Sequence, residues 1–185
     1  DRMSGWRRER EARDARIEAG RAHAEGKVVA ADKVVDLLEA ILRPGDRVCL
    51  EGDNQKQADC LARGLSQCDP SRVHDLHMVQ SGIVLPEHLD IFEQGIAKRL
   101  DYSYSGPQGG RIARMLYGGQ IELGAVHTYL ELFARYFVDL TPNVALIAGV
   151  SADWDGNLYT GPNTEDTPTV VEATAFKNGV VVAQV

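Results

Sequence analysis

Three polar stretches hold the residue types that chemistry needs. The first is Glu51-Gly52-Asp53-Asn54-Gln55-Lys56-Gln57, which follows the apolar segment Asp46-Arg47-Val48-Cys49-Leu50. A polar loop leaving a buried strand is where open parallel sheets bind ligands. Gly52 lets the backbone approach a ligand closely. Asp53, Asn54 and Gln55 offer donors and acceptors, and the start of a following helix favours an anionic group. The competing reading is that Asp53 or Asn54 caps that helix. The second stretch, YSYSGPQGGRIARMLYGG, is rich in glycine, and Gly109 and Gly110 can present backbone N–H groups at a helix start or simply turn the chain. The third, SADWDGNLYTGPNTEDTPT, gathers Asp153, Asp155, Asn157, Glu165 and Asp166. Its spacing fails the twelve-residue calcium loop, and Asp155-Gly156 reads as a tight turn, so a turn or ligand loop is expected, with no metal.

Other chemistries find little support. The five histidines, at 23, 74, 77, 88 and 127, form no H-E-x-x-H. His74 and His77 are read in one strand, pointing to opposite faces. Neither nucleotide fingerprint is present, nor is a G-x-S-x-G elbow. An anionic substrate would need local donors or a basic group such as Arg111 or Arg114.

The elements that must position these loops follow from periodicity. Val34, Leu37, Leu38, Ile41 and Leu42 have the spacing of a helix with one buried face, ended by Pro44-Gly45. "DRVCLEG" reads as a strand, and Ala58, Leu61, Ala62 and Leu65 as the next helix. "RVHDLHMV" is the following strand and "PEHLDIFEQGI" a helix opened by Pro86. "RLDYSYSG" is a short strand and "RIARMLYGG" a helix closed by glycine. In "VHTYLELFARYFVDL", Val126, Leu130, Phe133 and Phe137 fall on one helical stripe. "NVALIAGV" is a continuous apolar run, as in a strand buried on both faces. Thr167 is expected to cap a helix with Pro168 at its first position, ended by Asn178-Gly179 before the strand "VVVAQV"; a hairpin at Asn178-Gly179 is the alternative. Strands alternating with helices predict an α/β domain with a parallel sheet.

Bulk properties narrow the partners. The 185 residues suit one domain. A net charge of −7 argues against nucleic acid as the main partner. No apolar run reaches the roughly 20 residues of a membrane span. The three cysteines, odd in number and without metal spacing, read as reduced cytosolic thiols, with Cys49 in the core. Residues 1–26 carry seven arginines against six acids, reading as a charged helical N-terminal extension that is solvated or docks a partner. Because "VVVAQV" ends as a strand with no cap or polar tail, a piece of a longer chain is expected.

"EGDNQKQADCLARGL", "DLHMVQSGI", the long run from Ile121 to Phe176 and "VVVAQV" closely resemble the malonate decarboxylase alpha-subunit family, within the coenzyme A transferase superfamily. The resemblance implies a coenzyme A transferase-like open, mostly parallel sheet flanked by helices. It places an N-terminal transferase-like domain at 27–185, its second half lying outside this chain. The implied activity is acetyl-S-acyl-carrier-protein:malonate carrier-protein transfer in the cytoplasm. Implied partners are malonate, an acyl carrier protein subunit and the other decarboxylase subunits, with no membrane or nucleic acid. No covalently bound cofactor is implied; the reactive thiol is the dephospho-coenzyme A-derived group of the carrier. In the superfamily, a carboxylate attacks the thioester to give an enzyme-bound anhydride, and backbone donors of a glycine-rich loop stabilise the oxyanion. That loop matches Glu51–Gln55, where only Gly52 remains of the glycines. Gly52, Asp53, Asn54, Gln55, Gly109, Gly110 and Asn157 are the expected thioester- or substrate-binding residues. The superfamily's catalytic glutamate lies in the other half and is not carried onto Glu51, so the nucleophile is unassigned. A citrate lyase alpha-like subunit, an acetate or 3-oxoacid coenzyme A transferase, and a non-catalytic carrier-docking piece are the alternatives.

Overall fold

The computed structural model describes residues 2–52 and 56–185, with side chains from Ser4 onward. The helices are α1 (Arg2–Arg21), α2 (Val34–Ile41), α3 (Asp59–Ser66), α4 (Glu87–Glu93), α5 (Gly109–Tyr117), α6 (Tyr129–Val138) and α7 (Thr167–Phe176). The strands are β1 (Arg47–Leu50), β2 (Leu76–Gly82), β3 (Ala97–Tyr104), β4 (Glu122–Val126), β5 (Val144–Ala148), β6 (Ser151–Ala152), β7 (Leu158–Tyr159) and β8 (Val180–Gln184). Six strands form one sheet in the order β4-β3-β2-β1-β5-β8, every pairing parallel. The short β6–β7 hairpin is separate and antiparallel.

Strand parity sorts the sheet into two faces. Val48, Leu50, Met78 and Leu100 join Leu37, Leu38, Leu61, Leu65, Leu89, Ile91, Ile112 and Met115 in one core, so α2–α5 cover that face. Cys49, Val79, Ala145 and Ile147 pack with Leu132, Tyr136, Val170 and Ala173, so α6 and α7 cover the other. All of β5 is buried, as its unbroken apolar run predicts. The chain winds outward from β1 through β2, β3 and β4, then returns to place β5 on the other side of β1. That reversal of strand order falls between β1 and β5, the place at whose carboxyl ends open sheets bind ligands.

Several expectations are corrected. The strand expected over 72–79 runs from Leu76 to Gly82, so His74 precedes it, and Asp75 turns the chain with φ 54°. Val126 ends β4 instead of opening a helix. On α6 the buried residues are Leu132 and Tyr136, whereas Leu130 is 84% exposed and Phe137 41% exposed. Val138, 76% exposed, joins Leu130 and Phe137 in a second apolar stripe facing outward. Thr167 is the first residue of α7, not its cap; Asp166 takes the cap position without a side-chain cap bond.

The charged N-terminal segment is the helix α1, packed against α2 and β8. Its main tie is Arg16, whose guanidinium grips Asp46 through Nη1–Oδ2 at 2.5 Å and Nη2–Oδ1 at 2.8 Å. Nη1 also donates to the Ile41 carbonyl at 2.7 Å, which covers the end of α2. Trp6 meets Phe176 edge to face. Arg13 pairs with its neighbour Asp14 at 2.7 Å.

Candidate active site at the carboxyl edge of the sheet

Because every pairing in the main sheet is parallel, the carboxyl ends of its strands share one edge. The β1–α3, β2–α4, β3–α5 and β5–α7 connections all leave from that edge. Gly52, Gly109, Gly110 and Asn157 therefore lie on connections of one edge, as the sequence suggests. Asp53, Asn54 and Gln55 lie outside the described residues. The cap position of α3 is Ala58, further along than the expected Asp53 or Asn54.

The most buried charges of this edge surround Glu51. It continues the parity of Cys49, so its side chain enters the α7 side of the sheet, where it is 2% exposed. Oε2 accepts from the Ala148 N–H at 2.7 Å, between the ends of β1 and β5. Oε1 accepts from the Thr167 hydroxyl and lies 3.2 Å from Lys56 Nζ. Lys56, 8% exposed, also donates to the Thr167 hydroxyl oxygen and lies 3.5 Å from the Thr164 carbonyl. Burial pushes the Glu51 carboxyl up, and the Ala148 N–H, Thr167 and Lys56 only partly offset it. Both carboxylate oxygens are engaged by donors and the residue is 2% exposed, so Glu51 ties β1, β5 and α7 together from inside the fold. Sequence reading missed Lys56 and Thr167. Their partners are far apart in the chain, and no local pattern announces them.

Gly52 faces the other way, toward α4. A Cβ there would lie 2.3 Å from His88 Cε1 and 2.6 Å from the Gly82 carbonyl oxygen, so only glycine fits without displacing its neighbours. The chain then doubles back: Gly52 bridges Gln57 antiparallel, and the Ala58 N–H donates to the Glu51 carbonyl at 2.9 Å. The His88 ring is fully buried, and neither ring nitrogen has a hydrogen-bond partner among the described residues. Burial holds its pKa down at about 4, so the ring is neutral near pH 7.

The other expected residues are placed less centrally. Gly109 and Gly110 form the first turn of α5. Asn157 sits in the β6–β7 turn, and its side chain is spent on Asp153 at 2.8 Å. Arg111 is tied to Asp90 at 2.7 Å, Glu93 at 2.9 Å and the Pro86 carbonyl at 2.9 Å, so it is not a free anion receptor.

A second polar cluster lies nearer the middle of the sheet. Asp101, 1% exposed, is held between His77 Nε2 at 2.6 Å and His127 Nε2 at 2.7 Å. Arg47 Nε donates to His77 Nδ1 at 3.3 Å, which leaves His77 donating to Asp101 from Nε2. Burial opposes charge on Asp101, but the hydrogen bonds from His127 and His77 outweigh it and hold the carboxyl below its usual range. Gly124 makes the room: a Cβ there would lie 1.8 Å from Asp101 Oδ2. Asp101 joins His77 of β2 to His127, which precedes α6, so the cluster locks β2, β3 and the start of α6 together.

Comparison with known proteins places this arrangement. The family described as "Malonate decarboxylase, alpha subunit, transporter" matches residues 5–185. No helix among the described residues is long and apolar enough to cross a membrane. The acetyl-S-ACP:malonate ACP transferase of Malonomonas rubra is 58% identical over 167 residues, covering 90% of this chain and 30% of that protein. A Pseudomonas malonate decarboxylase hetero-tetramer, solved in complex with malonate, contains a chain 55% identical with a TM-score of 0.94; the match covers 97% of this chain and 33% of that one. The glutaconate coenzyme A-transferase of Acidaminococcus fermentans shares the fold alone, at 10% identity and a TM-score of 0.60, covering 82% of this chain and 67% of that one. This chain thus spans about a third of the length of the first two relatives.

Proposed function

Because this chain belongs to the malonate decarboxylase alpha-subunit family, we propose that it forms part of an acetyl-S-acyl-carrier-protein:malonate carrier-protein transferase. The observation that carries this reading is the 58% identity, over 90% of this chain, to a protein with that activity in its name. In the overall reaction, the acetyl C–S bond of the carrier thioester breaks and a C–S bond to a malonate carboxyl carbon forms. Acetate leaves. The carrier thiol, on a dephospho-coenzyme A-derived arm, returns to a thioester.

Residues of this chain supply one wall of the site. Gly52, at the carboxyl end of β1, is buried against the His88 ring and the Gly82 carbonyl, and its lack of a side chain lets the backbone of the wall pack this closely. Gly109 and Gly110 open α5 at the same edge, although the Gly109 N–H is already donated to the Gly106 carbonyl. Lys56 pairs with Glu51, so this buried carboxylate is not a lone negative charge facing malonate. The acyl carrier protein, malonate and the other decarboxylase subunits are the partners of the full subunit, acting in the cytoplasm.

The test is acyl exchange by the full-length subunit with acetyl-carrier protein, offered malonate or citrate. Malonyl-carrier protein and free acetate are the expected products. Exchange with citrate and none with malonate would overturn the reading in favour of a citrate lyase-type subunit.

A further inference from the structure

We propose that Glu51, Lys56 and Thr167 are positioning residues for this exchange: together they set Gly52 and Lys56, at the two ends of the connection after β1, against the end of β5 and the start of α7. The inference rests on the reading above for the reaction, and on geometry alone for the coupling. Glu51 stands immediately before the loop and Lys56 near its end. Their ion pair at 3.2 Å closes its base, beside the Gly52–Gln57 bridge. The same carboxylate receives the Ala148 N–H from the end of β5 at 2.7 Å. It also receives the hydroxyl of Thr167, 116 residues further along the chain. One buried carboxylate therefore fixes three segments at the point where the strand order reverses, where open sheets of this kind bind ligands.

Energetics argue that the cluster is kept for geometry. Exchanging a buried ion pair for well-packed apolar groups is often neutral or stabilising, because two charges must leave water. Glu51 and Lys56 are 2% and 8% exposed, so they bear that cost. What the pair gives and an apolar pair cannot is direction. Glu51 points one oxygen at Ala148 and the other at Thr167 and Lys56, fixing orientation as well as distance. With both oxygens occupied, its role is to hold the ends of that connection, and it acts through the backbone of Gly52 instead of touching the acyl group.

The experiment uses the full-length subunit in its complex. Thr167→Val keeps the shape of the side chain and removes the hydroxyl; Thr167→Ser restores the hydroxyl. Thr167→Val is expected to lower kcat of acetyl-to-malonyl exchange about 10–100-fold while KM for the acyl donor stays put, as loss of an orienting contact does. Thr167→Ser is expected to recover most of that loss. In parallel, amide hydrogen exchange is read at Ala58 and Ala148. Thr167→Val should speed exchange at both while amides in the middle of β3 keep their protection. The double variant Glu51→Leu/Lys56→Met guards against misfolding: it should keep its melting temperature and still lose exchange activity. Equal kcat for Thr167→Val and the parent, or unchanged protection at Ala58 and Ala148, would overturn the proposal. Should the parent show no malonate exchange while the amide coupling persists, the functional reading fails and the positioning role stands.

Discussion

His88 is the residue whose behaviour in acid follows most directly from its surroundings. Its ring is neutral in the fold and charges readily once unfolded, with a pKa moving from 6.5 to about 4. A histidine held low in the fold leaves stability intact above pH 6.5. Stability is then lost as pH falls from 6.5 toward 4, by about 3 kcal/mol from this group alone. Denaturant unfolding of the parent and of His88→Leu at pH 7.5 and 4.5 measures this. The variant should be as stable as the parent or more so at pH 7.5, since it removes buried polar atoms without partners. It should also lose less stability on acidification. Asp101 acts in the same direction: its carboxyl is held low by two histidines, so its stabilising share is present above about pH 4 and is lost on further acidification. Gly52→Ala tests the close contact on the other side of the His88 ring and should cost about 1–3 kcal/mol through overpacking. The loop was visible in the sequence as a polar run after a strand. The burial of Glu51 and its bond to Thr167 were not, because Thr-Pro at a helix start reads as a cap. Only the tertiary fold shows that the hydroxyl goes elsewhere.

Among the elements, the strands and helices with one-sided apolar spacing were legible, and so was the edge strand β8; the other edge strand, β4, was not. β4 escaped because it is an edge strand with mostly exposed residues and a glycine at its centre, which normally weakens a strand. Gly124 is there because the Asp101 carboxylate occupies the space of a Cβ. Gly124→Ala should therefore displace Asp101 and lower the melting temperature, an effect that Asp101→Asn does not share for steric reasons. Of the stripe chosen on α6, Phe133 packs on the core but Leu130 and Phe137 do not, because two apolar stripes exist there and spacing alone does not say which faces the sheet. α1 lacks an apolar face broad enough to dock by itself; a buried ion pair does that work. Arg16→Ala strands Asp46, which is 8% exposed on its side chain, and should cost about 3 kcal/mol in a urea titration. Arg13→Ala, whose pair with Asp14 is more exposed, should cost under about 1 kcal/mol.

On the scale of the whole molecule, alternation of strand and helix predicted a parallel α/β sheet, and all five pairings of the main sheet are parallel. Strand order was not readable, since periodicity is blind to which strands lie side by side. That order matters for function because it puts the reversal between β1 and β5, beside Gly52 and Glu51. The proposed function requires the carrier thioester to dock on this edge. The most direct measurement is a structure of the full-length subunit soaked with an acetyl thioester of the carrier's prosthetic arm. Density for the thioester is expected over Gly52, at the carboxyl ends of β1 and β5. Well-defined density at the amino ends of the strands, or only along α1, would contradict it.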